Sequence, residues 1–324
     1  MFIYCMACII SVMIITAVLL RIFIPKLISM KLGQPIYEIG PRWHKSKEGT
    51  PTMGGVFFII AECVVLIVIA IVIEDKSELG RMWTAMTISM LFGVVGMIDD
   101  IAKLKKRENQ GLTAVQKFTL QLVIAAGYVS VMAIKGYNDT TVKIPFCDIS
   151  FDLGVFYYAF AIIFICGIVN SVNLTDGIDG LAASVTAVVS GYFTLYGSML
   201  EYTSPMLLGS ATFGGCLGFL IYNAHPAKIF MGDTGSLFLG GIVVGLAFLT
   251  DSPLLIVICG IVYIIETVSV ILQVGYFKLT HGKRLFKMAP FHHHLEKCGM
   301  NETTIVIIAV AITIAASVLL LMLN

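Results

Sequence analysis

The residues with most chemical content stand in five short polar clusters between long apolar runs. Asp99 and Asp100 are adjacent, and Lys103, Lys105, Lys106 and Arg107 follow them. At the expected end of an apolar helix the two carboxylates repel each other and meet the unfavourable pole of the helix dipole. A divalent cation relieves both costs; a solvated acidic pair has the same local sequence. Asn170, Asn173, Asp176 and Asp179 recur every third residue. In a helical or 3₁₀ stretch that spacing aligns them on one face. Such a row of oxygens suits a hydrated Mg²⁺, a phosphate-bearing ligand or a ribose; the plainer alternative is a polar turn with capping residues. Asp233 lies between Gly232 and Gly235, either an ordinary N-cap or part of an anion-binding corner at a helix start. Lys45, Lys47, Thr50 and Thr52 precede Gly54-Gly55 and offer charge and hydroxyls to phosphate. His292, His293 and His294 are consecutive. Three successive histidines cannot all face one metal on a helix, so they suit hydrogen bonding to a polar ligand better than zinc.

The elements that must position these clusters follow from composition. Of 324 residues, 58% are hydrophobic and 13% charged, and the mean hydropathy is +0.94. A soluble domain carries about 25% charged residues, so a soluble enzyme of this length is excluded. The net charge of +1 gives no basic field for nucleic acid. Cys5 and Cys8 form one CxxC without a second pair, too few ligands for a structural metal. Runs of the roughly 20 apolar residues that cross a bilayer fall at about 2–24, 52–73, 82–98, 115–134, 155–171, 181–199, 206–222, 235–250, 254–275 and 303–323. The first lacks a basic n-region and reads as a retained anchor. All but four of the 21 Lys and Arg residues (Lys76, Arg81, Lys135, Lys143) lie on one set of alternate loops or at its edge. The positive-inside rule makes that set cytoplasmic: about 25–51, 99–117, 171–180, 223–234 and 276–302. The expectation is an all-α integral membrane protein, one polytopic domain over 1–324, with ten transmembrane helices and both termini extracytoplasmic. Glu62 and Glu266 fall within spans, where carboxylates are costly, and the sequence assigns neither a role.

All five clusters belong to the cytoplasmic set, and the outer loops are bland. Acids from separate loops converge only if the helices bundle tightly. Combined with Lys- and His-rich loops, they suggest Mg²⁺ and a phosphorylated substrate, since phosphoryl transfer needs mainly positioning and charge stabilisation.

The motifs GMIDD, NSVNLTDGIDGLA, NAHPAKIFMGDTGSL and APFHHHLEKCGM resemble the polyprenyl-phosphate N-acetylhexosamine-1-phosphate transferase superfamily. HKSKEGTPTMGG and the triple-histidine loop resemble its phospho-N-acetylmuramoyl-pentapeptide transferase family. The resemblance implies a homodimer in the bacterial inner membrane, with a broken ninth helix that admits lipid through a membrane-facing groove. It implies Mg²⁺-dependent transfer from UDP-MurNAc-pentapeptide to undecaprenyl phosphate, giving lipid I and UMP for cell-wall synthesis. Carried onto this chain, Asp99, Asp100 and Asp233 are the catalytic acids and the metal ligands, Asp233 foremost. Lys47, Thr52, Lys103, Asn170, Asn173, Asp176, Asp179, Asn223, Phe230, His292 and His293 are the substrate-binding positions. Direct attack by the lipid phosphate, positioned by Asp99, stands against a covalent aspartyl route. A sibling transferase for another sugar phosphate and, from a different class, a membrane transporter remain as alternatives.

Overall fold

The computed structural model describes residues 1–29, 47, 49–73, 76, 79–106, 111–137, 139–145 and 149–323. The basic residues Lys31, Arg42, Lys45 and Arg107, and His44, Ser46 and Glu48 of the HKSKEGTPTMGG segment, lie outside the described residues. In chain order the elements are α1 (Phe2–Ser29), α2 (Gly55–Val72), α3 (Leu79–Lys106), α4 (Ala114–Lys135), β1 (Thr141–Lys143), β2 (Ser150–Asp152), α5 (Phe156–Thr175) and α6 (Leu181–Met199). They continue with α7 (Thr203–Asn223), α8 (Gly232–Leu249), α9 (Leu255–Cys259), α10 (Ile261–Leu279), α11 (Phe291–Lys297) and α12 (Glu302–Leu323).

The protein is a helical integral membrane protein. Among the described residues nine helices are long and apolar enough to cross a bilayer. Helix α6 matches the expected span 181–199 but is not one of the nine. It carries polar side chains inside the protein, where Thr186 and Ser190 are buried, so its environment is other helices rather than hydrocarbon. Helix α1 shows the opposite balance: Cys8, Val12, Thr16 and Leu20 are buried, while Ile10, Ile14, Val18 and Ile22 are exposed. A four-residue step on each face gives one stripe for protein and one for lipid.

Helix α8 is the centre of the bundle, with every residue from Thr234 to Leu249 buried. It packs most extensively on α3. Backbones come close because glycine stands at the crossings, as in other membrane helix pairs. A Cβ on Gly241 would press on Ser89, and one on Gly96 would collide with the Asp233 and Thr234 backbone. The short, Gly-rich eighth run is therefore a buried core helix.

Three boundaries differ from the sequence expectation. Helix α3 does not end at the acidic pair but runs on to Lys106. The run 254–275 is not one helix: α9 stops at Cys259, and α10 starts at Ile261 after Gly260. Tyr263 of α10 bonds the Thr186 hydroxyl near the start of α6 at 2.7 Å, and Thr267 donates to Ser171 Oγ near the end of α5 at 2.7 Å. The first turns of α10 thus lie beside the 175–181 turn, while Ile271, Leu272, Val274, Phe277 and Leu279 beyond them are exposed. The ninth helix is broken, as the resemblance implies. The third difference is in the loop between α4 and α5, where β1 and β2 pair antiparallel with Val142 opposite Phe151. Alternating Thr-Val-Lys and Ser-Phe-Asp suit a short hairpin.

Candidate active site

Four helix ends supply the acidic cluster. In α3, Asp99 and Lys103 stand four residues apart, one turn along the helix, and their ion pair is 2.7 Å. Asp99 Oδ1 accepts from the Leu112 backbone N–H at 2.7 Å, which draws the start of the next segment against α3. That segment enters α4 through a capping box: Thr113 accepts from the Gln116 N–H at 3.2 Å, and Gln116 Oε1 from the Thr113 N–H at 3.0 Å. A residue beyond the box is Lys117, whose ammonium reaches Asp233 Oδ2 at 3.0 Å.

Asp100 faces the start of α8. Its Oδ1 accepts from the Asp233 N–H at 3.1 Å, and its Oδ2 from the Thr234 N–H at 2.9 Å and hydroxyl at 2.7 Å. Asp100 is thus placed on the favourable N-terminal pole of α8. Gly232, at φ +72°, makes the turn, and a side chain there would strike Asp100. This capping holds Asp233 in the first turn of α8.

Asp233 is the hub. Lys103 donates to its Oδ2 at 2.8 Å, and Asn173 of α5 donates to its Oδ1 at 2.9 Å and to Ser236 Oγ at 2.7 Å. One carboxylate oxygen from each of Asp99, Asp100 and Asp233 lies within 4.8 Å of the others. An all-oxygen donor set of this kind fits a hard divalent cation, and two lysines supply the positive charge there.

Asp176 closes α5 next to this cluster and is half-buried. Burial, and then the charges of Asp233, Asp100 and Asp179, push its carboxyl up to about 8.

The row of Asn and Asp at every third position does not share one face. Helix α5 ends at Thr175, and the row divides. Asn170 pairs with Gln121 of α4, donating at 2.6 Å and accepting at 3.3 Å. Asn173 joins Asp233, whereas Asp179 turns to a second cluster. There Lys47 donates to Asp179 Oδ1 and Glu302 Oε2, both at 2.7 Å. His225 Nδ1 and the Ala227 N–H meet Asp179 Oδ2 at 2.9 and 3.0 Å, and the Asp179 N–H donates to Glu302 at 3.0 Å. Asp179, His225 and Glu302 also meet within 4.8 Å.

Between the two clusters runs a backbone seam. The Phe230 N–H donates to Pro51 O at 2.9 Å, and Gly54 and Gly55 donate to Phe230 O and Met231 O at 2.8 and 3.0 Å. The seam carries buried Thr52, while the Phe230 ring is half-buried. Asn223 is a brace: it accepts from the Gly180 N–H at 3.1 Å and donates to Ile229 O at 2.8 Å. His292 is buried against Gly177, and His293 pairs with Glu296 at 2.6 Å.

The structure brings Asp99, Asp100, Lys103, Asn173 and Asp233 into direct contact and sets Asp176 beside them. Lys47 and Asp179 meet in the second cluster, and Asn170 faces α4. Sequence reasoning missed Lys117 as a site residue, and missed Ser236, His225 and Glu302. The sequence signal for Glu302 is only an acid at a helix start; Lys117 has a capping box before it.

The sequence matches a glycosyl transferase family 4 model over residues 82–251. It also matches the first phospho-N-acetylmuramoyl-pentapeptide-transferase signature over residues 47–59. A phospho-N-acetylmuramoyl-pentapeptide-transferase of Clostridium perfringens is 45% identical over 309 residues, covering 95% of this chain and 93% of that protein. The chain belongs to the phospho-N-acetylmuramoyl-pentapeptide-transferase family. Members from Clostridium botulinum and Listeria monocytogenes are 44% and 41% identical and cover 90% and 91% of this chain. Within this family member the signature residues 47–59 run from Lys47 of the second cluster through the seam into α2. The region 82–251 contains the whole acidic cluster.

Proposed function

We propose that the protein transfers phospho-MurNAc-pentapeptide from UDP-MurNAc-pentapeptide to undecaprenyl phosphate, producing lipid I and UMP. The observation that carries this reading is the Asp99–Asp100–Asp233 cluster with Lys103 and Lys117, in a chain of this family. In this reading an oxygen of the lipid phosphate attacks the β-phosphorus of the UDP-sugar. The bond from that phosphorus to the bridging oxygen breaks, and UMP leaves with the electron pair. Asp99 positions the attacking phosphate, which is already mostly dianionic at pH 7, so a strong base is unnecessary. Asp100 holds α8, and Asp233, with Asp99 and Asp100, is the site for Mg²⁺. Bound there, Mg²⁺ would neutralise pyrophosphate charge. Lys103 and Lys117 face the same charge, and Asn173 orients Asp233. Asp176, Asp179, Asn223, Phe230, Thr52 and Lys47 shape the nucleotide region, and His292 and His293 the sugar side.

The chain in this reading is one polytopic domain with ten passes, counting α9 and α10 as a single broken one. Both termini are extracytoplasmic and the site faces the cytoplasm of the bacterial inner membrane. The Lys and Arg asymmetry supports that orientation. The exposed apolar stretch of α10 supports a lipid entry beside the site, and the working form is a homodimer. The test is incubation of purified protein in detergent with undecaprenyl phosphate, Mg²⁺ and a panel of UDP-sugars. UMP and a lipid-linked product with UDP-MurNAc-pentapeptide are expected. Product only with another UDP-sugar overturns the substrate assignment, and no UMP with any donor overturns the reaction.

A further inference from the structure

Glu266 has no part in either cluster described above. It lies in the second turn of α10, 4% exposed. Its Oε2 accepts from one residue twice: from the His292 backbone N–H at 3.2 Å and from the His292 ring at Nδ1, 3.0 Å away. A carboxylate only accepts, so Nδ1 carries the ring proton in this bond. The other ring nitrogen, Nε2, is buried and has no hydrogen-bond partner among the described residues. It points at Gly177, where a Cβ would run into Nε2 and Cε1. Gly177 is flanked by Asp176 and lies two residues before Asp179, so this edge of the ring packs against the turn between the two clusters. An orphaned acceptor is cheaper to bury than an orphaned charged N–H, which favours a neutral ring with bare Nε2. The adjacent Thr267–Ser171 bond pins this turn of α10 to α5. His293 is held differently, by Glu296 one turn along its own short helix.

We propose that Glu266 is a positioning residue: it fixes the tautomer and plane of His292, whose ring then seats the Gly177 turn that borders the nucleotide-sugar site. The substrate half of this inference rests on the transferase reading; the tautomer half rests on geometry alone. The experiment uses full-length protein in nanodiscs with ¹⁵N-labelled histidine, and the His292 signals are assigned by their loss in His292→Ala. Wild type is expected to show protonated Nδ1 and bare Nε2. Glu266→Ala moves the proton to Nε2, whereas Glu266→Gln, whose amide oxygen still accepts, keeps the wild-type pattern.

In UMP-release assays Glu266→Ala is expected to lower kcat/KM about 10–100-fold, mainly through KM for the nucleotide sugar. Glu266→Gln recovers most of this, and Glu266→Ala/His292→Ala is no worse than His292→Ala alone. Bare Nδ1 or protonated Nε2 in wild type overturns the proposal. Multiplying losses in the double variant, or no recovery with Gln, also overturn it. Wild-type protein that released no UMP would refute the transferase reading, and the spectra would still decide the role of Glu266.

Discussion

The two carboxylate clusters look alike and are held differently. Each gathers three ligand atoms within 4.8 Å and each contains lysine. In the acidic cluster all three members are aspartates on α3 and α8, the two helices that pack most extensively on each other. Asp233 collects its donors from α3, α4 and α5. In the second cluster a single Lys47 lies between Asp179 and Glu302, 14% exposed, and a backbone N–H completes each acid. Lys103 and Lys117, the ammonium groups of the acidic cluster, are 17% and 19% exposed and come from two different helices. In the second cluster the bonds of Asp179 and Glu302 tie Lys47, the 176–180 turn, the 223–231 loop and α12 together. The same residue types stand in two settings that differ in what already satisfies them.

The largest expected effect separates the two directly. Asp233→Asn should lower Mg²⁺-dependent UMP release by more than about 100-fold with little change in melting temperature. An unaltered metal dependence would remove Asp233 from the ligand set. Asp100→Ala should act on both properties, because it uncaps α8: a loss of about 1–2 kcal/mol in stability, read by thermal unfolding in detergent, together with lower turnover. Intact stability would show that the cap is not what Asp100 contributes.

Glu302→Gln tests the second cluster. It should raise KM for the nucleotide sugar about tenfold, equivalent to about 1.4 kcal/mol, and leave the Mg²⁺ requirement unchanged. A changed metal requirement would join the clusters into one site.

Asp176 gives a smaller effect with a definite sign. Its carboxyl titrates near 8 in the protein against 3.8 ordinarily. The folded protein therefore holds a proton that the unfolded chain has released, and stability falls as pH rises between these values. Asp176→Asn removes the titration. In metal-free buffer its melting temperature should gain on wild type from pH 5 to 8 and level off above. A constant difference would contradict the shift.

The smallest effect is expected at the far end of α3. Arg81 pairs there with Asp251, near a cavity of about 310 Å³ lined by Tyr137, Lys143 and Tyr157. Arg81→Gln should cost no more than about 1 kcal/mol and leave UMP release unchanged.

Much of this contrast was legible in the sequence. Lysines and acids stand out against apolar runs, so Asp99, Asp100, Asp176, Asp233 and Lys47 are visible as candidates, and charge asymmetry groups them on one side. Their division into two clusters was not legible, because it depends on partners far along the chain: Glu302 lies 123 residues from Asp179. The three-residue row shares one face only if the helix continues through it, and α5 ends at Thr175. The break at Gly260 is hidden because both sides of it are apolar, and Glu266 gains its meaning only from His292, 26 residues later. The β1–β2 hairpin was invisible for the opposite reason, its three-residue strands being too short for a pattern.

Electron paramagnetic resonance of Mn²⁺ bound to the purified protein, in place of Mg²⁺, tests the central contrast most directly. Wild type and Asp179→Asn are predicted to bind one ion with similar affinity, while Asp233→Asn loses it. Retention in Asp233→Asn, or loss in Asp179→Asn alone, would contradict the assignment of the ligand site to α3 and α8.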